Sequence, residues 1–173
     1  MKTTLLIPTL NEIDGLKVIM PRIDPNWVDQ ILFVDGNSTD GTIEWINNHE
    51  YELIIQKSPG IRGAYQDALD FIRGDIVITF SPDGNSIPEL IPDLIKKIGD
   101  GFDMVIVSRY LYEGKSADDD LLSYWGNIFF TQTINLLYGA HYTDSFVIYR
   151  GYKTSLFSEL EITNDCWYLW LGK

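Results

Sequence analysis

Four short polar stretches hold the residues whose types and spacing could do chemistry. They are Pro8-Thr9-Leu10-Asn11-Glu12, Asp35-Gly36-Asn37-Ser38, Ser81-Pro82-Asp83-Gly84-Asn85 and Ser108-Arg109-Tyr110. Asp83 has Asn85 two residues on, which sets two oxygen donors on one side of an extended loop. Hard cations such as Mg2+ and Mn2+ prefer oxygen, and Mg2+ is commonly held by one or two carboxylates together with substrate phosphates. Pro, Asp, Gly and Asn are also turn formers, and on residue types alone a β-turn is favoured over a metal site. Asp35 opens "DGNSTDGT", a glycine-containing loop leading into a helix. Backbone N–H groups in such a loop attract an anion, whereas the carboxylate itself suits a ribose hydroxyl or a base N–H. A merely capped loop fits the spacing equally well. The loop matches neither the G-x-G-x-x-G fingerprint nor a P-loop. Arg62 and Arg109 can each grip a phosphate with two parallel donors. A surface ion pair with one of the 25 acids is the plainer role for either taken alone.

The elements that must position these stretches alternate along the chain. Thr3 to Pro8, Gln30 to Asp35, Tyr51 to Gln56, Asp75 to Phe80 and Met104 to Ser108 read as buried strands. Helical spacing falls between them, over residues 12–22, from the Thr39-Asp40 cap onward, over Arg62 to Ile72, and over Ser86 to Ile98 with Pro88 in the first turn. Such alternation predicts a single α/β domain built of right-handed βαβ units around a mostly parallel sheet. In these sheets ligands sit beyond the carboxyl ends of the strands, where all four polar stretches fall. After Tyr112 comes the acidic loop "EGKSADDD", with Asp118, Asp119 and Asp120 read as solvated charge, then an aromatic helix from Leu121 to Tyr138. That helix suits core packing or a homodimer contact; a membrane-surface helix is the sharper reading, though it lacks flanking Lys and Arg. Val147-Ile148-Tyr149 reads as a short strand.

Composition narrows the function classes. The 173 residues suit one domain; 45% are hydrophobic and 22% charged, which excludes disordered and collagen-like chains. A net charge of -12 argues against nucleic-acid binding, which needs cations to replace phosphate counterions. The single Cys166 excludes internal disulfides and Cys-based zinc sites and fits a reducing compartment. His49 and His141 have no ligand spacing. The short apolar N-terminus ends at Pro8, so a cytoplasmic protein is expected, with peripheral contact to a membrane left open.

The ordered set "LLIPTLNE" (5–12), "LFVDGNSTDGT" (32–42), "SPGIRGAYQDAL" (58–69), "DIVITFSPDGNSIPELIPDLI" (75–95), "FDMVIVSRY" (102–110) and "YTDSFVIYR" (142–150) resembles family 2 glycosyltransferases of the GT-A fold. The likeness is strongest to polyprenyl-phosphate sugar synthases typified by dolichol-phosphate mannose synthase. It implies a GT-A-like domain over residues 1–150, a nucleotide-diphospho-sugar donor, Mg2+ or Mn2+, and transfer to a lipid phosphate or saccharide. By position, it implies that Pro8, Thr9, Asn11, Glu12 and Asp35 line the nucleoside pocket and that Arg62 contacts the nucleotide. Asp83 falls on the last acid of a D-x-D metal motif and Asn85 on a following ligand position. Arg109 falls where a basic residue meets donor or acceptor phosphate, so Asp83 and Arg109 are the expected catalytic pair. Ser81 replaces the first D-x-D acid, and Gly36 replaces the second acid of the usual D-D-G-S loop. Residues 151–173 are read as a short segment of a chain truncated before the acceptor side. Two other functions stay open: a donor-binding or oligomerisation module without turnover, and a sugar-nucleotide nucleotidyltransferase.

Overall fold

The computed structural model describes residues 1–84, 86–108 and 121–159. β1 (Thr3–Thr9) and β2 (Gln30–Asp35) are nearly continuous buried runs. With β3 (Glu52–Ile55), β4 (Ile76–Thr79), β5 (Met104–Ile106) and β6 (Arg150–Lys153) they form one sheet in the order β3-β2-β1-β4-β6-β5. β1 runs parallel to β2, with Leu6 opposite Leu32, and parallel to β4, with Leu5 opposite Ile78. β2 is parallel to β3, and β6 alone is reversed, antiparallel to both β4 and β5.

Successive strand residues point to opposite faces, and both faces are covered. Leu5, Ile7, Phe33, Ile76 and Ile78 pack against α1 (Ile13–Ile19), α2 (Thr42–Asn48) and α4 (Ile91–Gly99) through Leu16, Ile46, Leu94 and Ile98. Leu6, Leu32, Val34 and Val77 meet Ala64, Tyr65 and Ala68 of α3 (Gly60–Ala68) on the other side. α5 (Leu121–Tyr138) and the short α6 (Ser155–Glu159) complete the described elements.

Several boundaries differ from expectation, α3 starting at Gly60 and β5 ending at Ile106 among them, and two of the shifts have a plain physical reason. The helix expected from Ser86 begins as a single 3-10 turn over Pro88–Leu90 and becomes α-helical only at Ile91. Pro92 lacks an N–H and is tolerated only in a first helical turn, which fixes that start. The strand expected at Val147 to Tyr149 lies three residues later, at Arg150–Lys153. This strand runs beneath α4, where a Cβ on Gly151 would lie 2.8 Å from Ile98 Cδ1. Glycine suits this close approach, and having no side chain it removes the apolar signature of a strand.

From β1 the chain steps outward through β2 to β3, then returns to the other side of β1 as β4. The strand order thus reverses between β1 and β4. A crevice opens at the carboxyl ends of strands at such a switch point.

Candidate functional site

The loops after β1 and β2 are stapled together at that crevice. Thr9 Oγ1 donates to Asp35 Oδ2 (2.7 Å), and Gly36 N donates to the Thr9 carbonyl (2.8 Å). Asn11 N donates to Ser38 Oγ (2.8 Å) while its Oδ1 accepts from Thr39 N (2.9 Å). The first amides of α1 are satisfied from the neighbouring loop: Glu12 N donates to Thr42 Oγ1 (3.0 Å) and Ile13 N to Asp40 Oδ2 (3.1 Å). Asn11 and Asn37 both adopt positive φ, 58° and 68°, a conformation Asn tolerates better than most residues. Asp35 is fully buried. Beyond Thr9, its carboxylate accepts from Ser38 N and Ser38 Oγ, both at 2.7 Å. Its evident work is therefore to hold Thr9 and Ser38 in place from behind the crevice wall.

Across the crevice stands the loop between β3 and α3. Asp67 anchors it, accepting from Lys57 N (2.5 Å), Ser58 N (2.9 Å) and Ser58 Oγ (3.0 Å). These bonds outweigh the effect of burial and hold the Asp67 carboxyl below its ordinary range. Gly63 packs so tightly that a Cβ would sit 2.2 Å from the Ser58 carbonyl oxygen. Between the two walls is a cleft of about 500 Å³ whose lining includes Pro8, Thr9, Glu12, Gly36, Ser58 and Ser81. A smaller cavity of about 210 Å³ shares Ile61 and Ile148 with it and is lined by Arg62, Tyr65, Arg150 and Tyr152. Arg62 thus faces this adjoining cavity. Arg150 Nε and Nη2 donate to the carbonyls of Val147 (2.6 Å) and Ser145 (2.5 Å).

Asp83 lies exposed just past β4, beside Gly84 with φ of 86°. The loop is held by α1: a Cβ on Gly15 would fall 2.2 Å from the Pro82 carbonyl oxygen. Burial, then the charges of Asp83 and Asp40, raise the Glu12 carboxyl above its ordinary range. Hard oxygen donors that repel one another suit a divalent cation, so the residues present fit Mg2+ or Mn2+. No group of three His, Cys, Asp or Glu side chains poised for a metal occurs among the described residues. Donor phosphates and water would have to complete the coordination. Asn85 and Arg109 lie outside the described residues.

The structure therefore brings Pro8, Thr9 and Glu12 to one cleft, with Asn11 and Asp35 in its supporting network and Asp83 electrostatically coupled to Glu12. Sequence reasoning placed Ser38 at the ligand edge without a role, and missed Thr42, Ser58 and Asp67 as parts of the site and Gly15 as the contact that seats the Asp83 loop. Asp67 had no local signal, since its partners lie nine and ten residues earlier.

In an α/β domain of this kind the cleft at the switch point of the sheet is where ligands bind. The profile described as Glycosyl transferase family 2 matches residues 4–161, and the chain belongs to that family. Dolichol-phosphate mannosyltransferase of Pyrococcus furiosus is 32% identical over 125 residues, covering 66% of this chain and 35% of the relative. Undecaprenyl-phosphate mannosyltransferase of Micrococcus luteus is 27% identical, covering 94% of this chain and 70% of the relative. Glycosyltransferase AglJ of Haloferax volcanii is 24% identical, covering 93% and 53%. The chain thus spans about half or less of two of these relatives. Glucosyl-3-phosphoglycerate synthase of Mycobacterium tuberculosis, solved with Mn2+, UDP and phosphoglyceric acid, superimposes with a TM-score of 0.72 at 19% identity, over 91% of this chain and 57% of that one. The same enzyme with Mn2+ and UDP-glucose gives 0.68 at 18% identity, over 91% and 57%. The fold is GT-A, as the sequence implied.

Proposed function

We propose that the cleft binds a nucleotide-diphospho-sugar and that the chain takes part in transferring the sugar to a polyprenyl phosphate or a saccharide. The observation that carries this reading is the cleft itself: Pro8, Thr9 and Glu12 share its wall with Ser81, and Asp83 stands close enough to raise the Glu12 carboxyl. Pro8 and Thr9 meet the nucleoside, Asn11 and Asp35 keep the loop rigid, and Arg62 steadies phosphate from the adjoining cavity. Asp83 and Asn85 would hold Mg2+ or Mn2+. When bound, the ion offsets negative charge gathering on the nucleoside diphosphate as the bond to the anomeric carbon breaks. Arg109 adds a second positive charge in this assignment. An acceptor phosphate is already ionised at neutral pH and attacks without a general base, whereas a hydroxyl acceptor needs one. The names of the relatives, dolichol- and undecaprenyl-phosphate mannosyltransferases, favour the phosphate acceptor. A nucleotidyltransferase would want a Gly-rich, basic loop after β1, where this chain has "PTLNE".

Thermal unfolding with UDP, GDP and their sugars, with and without Mn2+, tests the donor site. At about 100 times Kd a ligand adds about 2.7 kcal/mol, a rise of several degrees. The rise is expected with at least one nucleotide, to depend on Mn2+, and to lose that dependence in Asp83→Ala. No metal-dependent shift with any nucleotide overturns the donor site, and a shift unchanged in Asp83→Ala removes Asp83 from it. A shift without sugar transfer or donor hydrolysis makes the chain a binding module.

A further inference from the structure

β6 and α3 frame the cavity beside the cleft. It measures about 210 Å³, against roughly 30 Å³ for one water in the liquid, and so has room for a tetrahedral oxyanion. Arg62 and Tyr65 line it from α3, and Arg150 and Tyr152 line it from β6. Residues 150 and 152 share a face because side chains alternate along a strand, while Gly151 between them lies beneath α4. No Asp or Glu occurs among the described residues that line the cavity. In a chain with 25 acids and 13 Lys and Arg, two guanidinium groups on one acid-free space concentrate positive charge against the overall balance.

The charge of Arg150 has no acid to answer it. Arg22 and Arg73 pair with Glu89 and Glu52, whereas no described carboxylate pairs with Arg150. Its Nε and Nη2 donate to the carbonyls of Val147 (2.6 Å) and Ser145 (2.5 Å), and the guanidinium also donates to the Tyr152 hydroxyl. A guanidinium carries five N–H donors in a fixed fork, so these bonds aim the group and leave donors for a ligand. Burial holds the Tyr65 and Tyr152 hydroxyls above their ordinary range, so neither adds negative charge at neutral pH. Arg150 is half-buried, and a charge taken from water without a partner is unfavourable. An anion in the cavity removes that penalty. Ile61, Phe146 and Ile148 form apolar walls beside the cations, which suit an organic group attached to the anion.

We propose that the cavity between α3 and β6 is a phosphate-monoester site, separate from the donor cleft, with Arg150 as its fixed cation and Arg62 as its second. Phosphate suits the pair because its terminal oxygens can accept from two guanidinium groups at once. The site shares Ile61 and Ile148 with the cleft, so a phosphate held here lies next to the donor. That shared wall is fixed to the sheet, since Thr79 Oγ1 of β4 donates to the Ile148 carbonyl (2.5 Å). The phosphate comes either from the acceptor of the reading above or from free phosphate in solution. Only the first of these sources rests on that reading.

The test is isothermal titration calorimetry of the full chain with sodium phosphate, in chloride buffer of matched ionic strength and without nucleotide or metal ion. Saturable binding of phosphate is expected, weakened about tenfold or more in Arg150→Gln and in Arg62→Gln, as the loss of a charge-assisted hydrogen bond implies. Arg150→Lys keeps the charge without the fork and should bind with intermediate affinity, should Arg150→Gln fold poorly. Geranyl phosphate should bind more tightly than phosphate and displace it, and geraniol should not bind. Equal affinity for the two phosphates supports the site with free phosphate as its ligand. No saturable binding of either phosphate, variants that bind like the parent, or geraniol binding as well as its phosphate overturns the proposal. So does loss of phosphate binding when UDP and Mn2+ are added, which would put the phosphate in the donor cleft. The first titration contains no nucleotide, so failure of the donor site registers separately.

Discussion

Two aspartates that look alike in sequence, each ending a buried strand, do different work. Asp35 is fully buried and accepts three hydrogen bonds from Thr9 and Ser38, whereas Asp83 is exposed at the cleft rim. The strand-end position of both was legible; which one is buried behind the cleft wall and which one is exposed was not, because that depends on loops meeting across the sheet. Asp67 makes the same point more sharply. Its carboxyl is held below the ordinary range by the Ser58 and Lys57 amides and the Ser58 hydroxyl, against the opposing effect of burial. A depressed carboxyl contributes stability above its unfolded pKa, and that contribution is lost as pH falls through the folded value. Asp67→Asn is therefore expected to cost about 1 kcal/mol near neutrality, the low end for bonds to a partly exposed carboxylate. The gap in melting temperature between parent and variant should close as pH is lowered below the carboxylate range. Nucleotide affinity should also fall, since the Ser58 wall of the cleft loosens.

At the scale of elements, α1 links the two halves of the site. Its N-terminal amides are satisfied by Thr42 and Asp40, and its Gly15 touches the Pro82 carbonyl. A Cβ on Gly15 would fall 2.2 Å from backbone oxygen, a contact no side-chain rotation can relieve. Gly15→Ala should cost about 2–3 kcal/mol, as overpacking does, and displace the Asp83 loop. Thermal melts should show the loss of stability, and the metal-dependent part of the nucleotide shift should shrink more than the metal-independent part. If the two parts shrink alike, Gly15 serves stability alone. The helix itself was legible from its apolar spacing; its glycine contact was not, because Pro82 is 67 positions further along the chain.

For the molecule as a whole, 25 acids against 13 Lys and Arg leave a charge of -12 in a domain that, on the proposed reading, holds a nucleoside diphosphate. Self-repulsion of this size lowers the stability of the compact state and is screened by salt. Raising NaCl from about 10 to 150 mM, which shortens the Debye length from about 30 to 8 Å, should raise the melting temperature of the ligand-free chain. A melting temperature indifferent to salt would show that the acids are locally compensated.

The alternation of buried runs with helical spacing was enough to determine an α/β sheet and its polar strand ends, because hydrophobic period is written locally, and the ordered motifs carried the resemblance to a glycosyltransferase fold. Three things needed the tertiary structure. β6 enters the sheet in reverse over Arg150–Lys153, with Gly151 close beneath α4 and few apolar residues to mark a strand. The cleft wall depends on Asp35, Asp67 and Gly15, whose partners are distant in sequence or hidden behind other loops. The direction in which α5 faces was undecidable from a helix apolar around much of its circumference; the Asn127-Thr131-Asn135 stripe turns inward because the 142–146 segment satisfies its hydrogen bonds, and the aromatic face is left outside.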